Sequence, residues 1–160
     1  MLAKDKYKEV VEHTQLVALD LIILDKDNKV LLGKRTNEPA KGFYFVPGSK
    51  TFKNNNLNDE LKRISLDELG IEINHEEVKK IGIYEHYYNN NYFNDDFSTH
   101  YIVFPCVYNV NDEDKEIINE TMLGQHDDVI WLEAKDIIGN DLVHKFTKKY
   151  FEDNPDNKFL

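Results

Sequence analysis

The chain has 160 residues, enough for one well-buried core and too few for two ordinary domains, so a single domain spanning 1–160 is expected. Thirty acidic against twenty basic side chains give a formal charge of -10, which repels nucleic-acid phosphates and anionic membrane surfaces and argues against both as partners. An anionic small substrate would therefore need a local cluster of cations or a metal, and the lone Cys106 excludes an intrachain disulfide.

In chain order, Asp5 to His13 suits a short helix, and the apolar run Leu16 to Leu24 a buried strand. The polar turn Asp25 to Lys29 then returns the chain into a second strand, Val30 to Gly33, paired with the first as a hairpin. Thr36 to Gly42 reads as an ordered loop leading into Phe43 to Val46. From Asn56 to Leu69 the apolar positions recur at helical spacing, with Gly70 placed for a helix C-terminus. Strands are expected at Val78 to Tyr84, Thr99 to Val110 and Val129 to Leu132, a loop at Tyr87 to Asp96, and a closing helix at Asn140 to Phe151. The longest apolar runs are strand-sized, so a soluble, cytoplasmic protein is expected. This alternation points to an α/β fold, a mixed sheet flanked by helices.

Two features carry chemistry. Asp20 lies inside an apolar strand, where a carboxylate is costly unless hydrogen-bonded or paired, and Arg35 at the end of the next strand is a candidate partner. The segment Pro47 to Ile71 is a loop feeding a helix that ends in Asp67-Glu68 and a glycine. It resembles the Nudix box at Arg63, Glu68, Gly70 and Ile71, with Asp67 a conservative replacement. It departs from the box at Ser49, Asn55, Ile64 and Ser65. Ile64 lies one helical turn before Glu68, so a carboxylate usually available there is absent and a multi-metal site is not expected. Asp59, Arg63 and Asp67, spaced i,i+4, also fit a plain salt ladder.

Further words extend the resemblance from about Leu16 to Phe151: Leu19-Asp20, Leu32-Gly-Lys-Arg-Thr-Asn37, Phe45-Val-Pro-Gly48, His86-Tyr-Tyr88, Phe97-Ser-Thr-His-Tyr101 and Gln125-His-Asp-Asp128. Together these resemble the GDP-mannose mannosyl hydrolases, a Nudix subfamily that itself carries a degenerate box. The resemblance implies the Nudix α/β/α sandwich, a homodimer, and one Mg²⁺ held by the Gly48 carbonyl, Glu68 and the Gln125 amide oxygen. It implies His126 as general base, Arg35 and Tyr101 stabilising the leaving diphosphate, and Asp20, Lys50, Arg63 and His86 at the substrate. Lys50 stands where the subfamily has arginine, keeping the charge without the bidentate geometry.

The implied reaction is attack of water at the anomeric carbon of a GDP-hexose, with inversion. A histidine suits the base role because much of it is neutral at pH 7. The alternatives are a pyrophosphohydrolase attacking phosphorus, which would want more box carboxylates than Asn55 and Ile64 leave, and a catalytically silent nucleotide-sugar binder. His13, His75 and His144 have no constellation around them, His100 reads as a packing residue, and the Asn runs at 54–56 and 89–91 need only local hydrogen bonding.

Overall fold

The computed structural model describes residues 2–155 and 159. Strand β1 (Leu16–Leu24) forms the centre of a mixed sheet. It pairs in parallel with β7 (Thr99–Asn109), from Leu16 opposite Tyr101 to Leu24 opposite Asn109. It pairs antiparallel with β2 (Val30–Lys34) through the Asp25–Lys29 turn, and with β4 (Gly48–Lys50). Outward from β2 lie β3 (Tyr44–Phe45) and β8 (Val129–Leu132); against β7 lie β5 (Lys79–Lys80) and β6 (Tyr84–Tyr88).

Alternation along β1 divides the core. Leu19, Leu21 and Ile23 face α2 (Leu57–Leu69) and α3 (Asp112–Leu123), meeting Leu61, Ile64, Leu69, Ile118 and Met122. Ile22 and Leu24 face the other way, toward α4 (Ala134–Gly139) and α5 (Lys145–Asp153), meeting Ile137, Tyr150 and Phe151. Burial on both faces explains the apolar run, which only Asp20 interrupts. Asp20, of the same parity as Ile22, is thereby delivered to the α5 side. A helix α1 (Lys4–His13) precedes the sheet.

Helix α2 starts and stops as its sequence dictates. The Asn56 side chain accepts from the Asn58 and Asp59 backbone N–H groups, a cap worth about 1 kcal/mol. Gly70 closes the helix at φ 74°, and an added Cβ there would collide with the Thr121 hydroxyl oxygen.

The structure differs from the expected elements in several places, and β4 and α4 were also not expected. The predicted strand Val78 to Tyr84 is split into β5 and β6 by Gly82, at φ 131°, opposite a stretch of β7 containing Pro105, which has no N–H to offer. β6 then runs on through Tyr87 and Tyr88, which were expected in a loop. The closing helix begins at Lys145 rather than Asn140, capped by the His144 ring nitrogen accepting from Phe146 N–H. Helix α3 was not expected at all, since only Ile118 and Met122 are buried on it; its signal is Asn111 as N-cap followed by Asp112, Glu113 and Asp114 at the positive end of the helix dipole. Among the described residues no helix is long and apolar enough to cross a membrane.

Candidate active site

Two adjoining cavities, of about 230 and 160 Å³, share Arg35, Phe45, Val46 and Gly48 and form one cleft along β4. The first also contains Glu68, Gln125 and His126; the second contains Asp20, Lys50, His86, Tyr88 and Tyr101. Nine of the ten site residues named from sequence thus line one cleft, although they come from seven different segments.

The tenth, Arg63, does not line it. Its guanidinium bonds to Glu60 at 2.7 Å, to Asp67 at 3.0 Å and to the Lys50 carbonyl at 2.9 Å. Glu60 is fully buried and also accepts from the Phe52 N–H and from the Asn55 amide at 2.6 Å. The expected ladder survives only in its Arg63–Asp67 step, because Asp59 bonds to Asn56 instead. Asn55 serves buried Glu60, and Ile64 is buried core. Ser65, standing for an aliphatic residue, is buried with its hydroxyl donating to the Lys62 carbonyl and accepting from Ile73 N–H.

In the first cavity three oxygens are free for a cation. Glu68 has neither a hydrogen bond nor a salt bridge among the described residues, and burial pushes its carboxyl up to about 7 despite the opposing charge of Arg35. Leu21 N–H donates to Pro47 and Thr51 N–H to Val17, so strand alternation makes Asp20 and Gly48 a non-bonded pair and turns the Gly48 carbonyl away from β1. Only glycine fits at 48, where a Cβ would lie 2.5 Å from Asp20 Oδ1 and 2.6 Å from the Leu19 carbonyl. Gln125 spends its amide nitrogen on the Asp67 carbonyl at 2.8 Å, and its oxygen has no partner among the described residues. No cluster of three or more His, Cys, Asp or Glu side chains able to hold a metal is found among the described residues. A divalent cation here would rest on one carboxylate, one main-chain oxygen and one amide, a hard-oxygen set that suits Mg²⁺.

His126 sits in the loop between α3 and β8, held on both sides of Lys34. Lys34 N–H donates to the Asp128 carbonyl, Asp127 N–H donates to the Lys34 carbonyl, and His126 Nδ1 lies 3.3 Å from that same carbonyl. A carbonyl can only accept, so Nδ1 carries the proton and Nε2 keeps its lone pair. Nε2 is buried without a partner among the described residues. Burial lowers the ring's pKa, keeping it neutral. Tyr44 donates a short 2.5 Å bond to Asp128, fixing the loop from the β3 side.

Arg35 leaves β2 into the seam of the cleft, its Nε buried without a partner among the described residues and its guanidinium 5.5 Å from the Phe45 ring centre. It makes no ion pair with Asp20. Asp20 instead accepts from the Tyr150 hydroxyl at 2.6 Å, and burial raises its carboxyl to about 6, offset in part by Tyr150 and Arg35. Lys50 Nζ lies 4.5 Å from the Tyr7 ring centre, and burial raises the Tyr101 hydroxyl above its ordinary range. His86 stacks on Phe146 at 4.4 Å with rings nearly parallel; desolvation, aided by His144, drives its pKa down to about 3. His100 stacks on Tyr87 away from the cleft.

Sequence reasoning missed several supporting residues. His144, assigned no role, stacks on Phe45 at 4.6 Å as well as capping α5. Gly33 is required because a Cβ there would lie 2.8 Å from His126 Cγ and Nδ1. Its only signal was a glycine inside a strand, which marks a close approach. Tyr150 carried no signal separating it from other core aromatics.

No protein-family model matches the chain. It is 36% identical over 113 residues to the low-salt glycan biosynthesis protein Agl8 of Haloferax volcanii, covering 71% of this chain and 70% of that protein. Solved structures with a similar fold include a MutT protein from Methanosarcina mazei Go1, TM-score 0.65 at 19% identity, covering 90% of this chain and 96% of that one. A MutT Nudix hydrolase from Burkholderia pseudomallei matches with TM-score 0.63 at 18% identity over 88% and 98% of the two chains. The Nudix domain of Shewanella oneidensis NrtR, solved with ADP-ribose, matches with TM-score 0.57 at 15% identity over 94% and 96%. With the sheet, flanking helices and cleft described above, the chain belongs to the family of the Haloferax protein Agl8 and carries the fold of the Nudix hydrolases.

Proposed function

We propose that this protein hydrolyses a GDP-linked hexose, GDP-mannose or a close relative, to GDP and free sugar, using one Mg²⁺ and His126 as general base. The observation that carries the reading is the convergence on one cleft of a neutral histidine with a free Nε2 and a one-carboxylate oxygen set. The glycan-biosynthesis name of the Haloferax relative and the ADP-ribose in the Shewanella domain support a nucleotide sugar as the substrate class.

Glu68, the Gly48 carbonyl and the Gln125 amide oxygen would hold the cation, which when bound offsets negative charge on the diphosphate. His126 Nε2 takes a proton from water as the water oxygen bonds to the anomeric carbon. The bond from that carbon to the diphosphate oxygen breaks, its electron pair leaving with GDP, and attack opposite the leaving group inverts the centre. Arg35, Lys50 and Tyr101 donate to the departing oxygens, where stabilisation counts most because charge grows there in the transition state. No protonated carboxyl beside the leaving oxygen is required, unlike in ordinary glycosidases.

The decisive experiment is a time course of GDP-mannose and Mg²⁺ in ¹⁸O-water, with NMR following the anomeric proton and mass spectrometry locating the label. Label in free mannose, released first as the inverted anomer, is the expected result. Label in GMP or mannose 1-phosphate would overturn carbon attack in favour of attack at phosphorus.

Gly33→Ala tests the base geometry. The Met122 methyl can yield to the new Cβ, but the His126 ring can do so only by leaving the Lys34 carbonyl. The expected result is a fall in kcat of roughly 100-fold, as misplacement of a catalytic group by about 1 Å produces. Thermal melting should show the fold retained; unchanged kcat would mean the ring position is unimportant.

A further inference from the structure

Behind the second cavity lies a buried chain of three side chains, two of which reach the cleft. Tyr150, fully buried on α5, places its hydroxyl 2.6 Å from Asp20 Oδ2 and 3.1 Å from His86 Nε2. A phenol has one proton. Spent on the carboxylate, which can only accept, it leaves the phenol oxygen as an acceptor, so His86 Nε2 must be the donor. His86 Nδ1 then holds a lone pair and has no hydrogen bond among the described residues. Phe146, parallel to the imidazole at 4.4 Å, holds the ring plane.

We infer that Tyr150 is a positioning residue: it pins Asp20 and fixes His86 as the Nε2–H tautomer, so that the second cavity offers two acceptors, Asp20 Oδ1 and His86 Nδ1, to hydroxyl donors of a sugar. This rests on the nucleotide-sugar reading for the ligand, but not for the tautomer. Tyr150 itself touches no substrate, since it is fully buried and lines neither cavity. Of the other polar side chains facing this cavity, Arg35 and Lys50 only donate and Ser49, Tyr88 and Tyr101 can do either, so the acceptor pair supplies the half of a polyol site that the two cations do not.

The test uses Tyr150→Phe, which keeps the ring that packs edge-on against Tyr84 at 4.8 Å and removes only the hydroxyl. Long-range ¹H–¹⁵N correlation spectra of the ligand-free full chain read the His86 tautomer directly. Wild type is expected to show Nε2–H, and the variant a mixture with Nδ1–H. In kinetics with a GDP-hexose, the variant should raise KM on the order of tenfold, the loss of about one hydrogen bond, with little change in kcat. That increase should shrink for deoxy-hexose analogues lacking the recognised hydroxyl, which loss of packing alone would not produce.

A wild-type His86 in the Nδ1–H form overturns the inference whatever the protein turns over, and needs no variant. Equal KM increases for parent and deoxy sugars overturn the acceptor role. Failure of the wild type to turn over any GDP-hexose strikes the functional reading alone, while the tautomer result still decides Tyr150.

Discussion

His126→Gln is expected to lower kcat by about 10³-fold, the usual worth of a positioned general base, while leaving the affinity for a divalent cation close to that of the wild type. The split follows from the geometry. The three oxygens available to a cation belong to Gly48, Glu68 and Gln125, and the contacts that place them, β1 pairing for Gly48 and the Asp67 carbonyl for Gln125, do not pass through the imidazole. Glutamine can still donate to the Lys34 carbonyl, so the loop should keep its place, but it has no basic nitrogen for water. Steady-state kinetics with Mg²⁺ and titration of Mn²⁺ by electron paramagnetic resonance measure the two quantities separately. A variant retaining a third or more of wild-type kcat would remove His126 from the chemistry. Loss of Mn²⁺ binding would show that the loop, rather than the base, had been damaged.

Much of this architecture was legible in the sequence because burial writes itself into residue type. β1 and β7 are apolar on both faces, α2 has a cap, a helical apolar stripe and a terminal glycine, and each is where the pattern puts it. α3 was not legible because a helix at the sheet's rim needs only two buried residues, and its capping and dipole signals are quieter than periodicity. The cleft residues could be named one at a time from short words, but what supports them could not. Gly33 matters through a side chain 93 positions away, and Tyr150 through one 130 positions away; local pattern records neither distance. Asp20 shows the limit most clearly. The sequence demanded a partner for a carboxylate in an apolar strand and offered Arg35, whereas the fold supplies a tyrosine from the last helix and leaves Arg35 facing the cleft.

Arg63 is where motif and structure part, and Arg63→Ala is expected to cost about 3–5 kcal/mol of folding stability at pH 7, the range found when one partner of a buried ion pair is removed. The reason is Glu60, whose side chain is 0% exposed. Burial by itself would raise its pKa, but Arg63, Asn55 and the Phe52 N–H more than compensate and hold it below the ordinary value of 4.5. A carboxylate depressed in the fold contributes stability above its unfolded pKa, and that contribution is lost as pH falls through the lower folded value. In the wild type, this contribution should therefore persist at neutral pH and decline only below about 4.5. Without Arg63 the desolvation is no longer offset, the Glu60 pKa moves upward, and the sign reverses: protonation now relieves the fold. The deficit of the variant should be largest at pH 7 and shrink toward pH 4.5, and Glu60→Gln in the same background should recover part of it. Urea unfolding of wild type and both variants at the two pH values measures this. A loss under 1 kcal/mol with a large rise in KM would instead return Arg63 to the substrate, where its place in the box motif had put it.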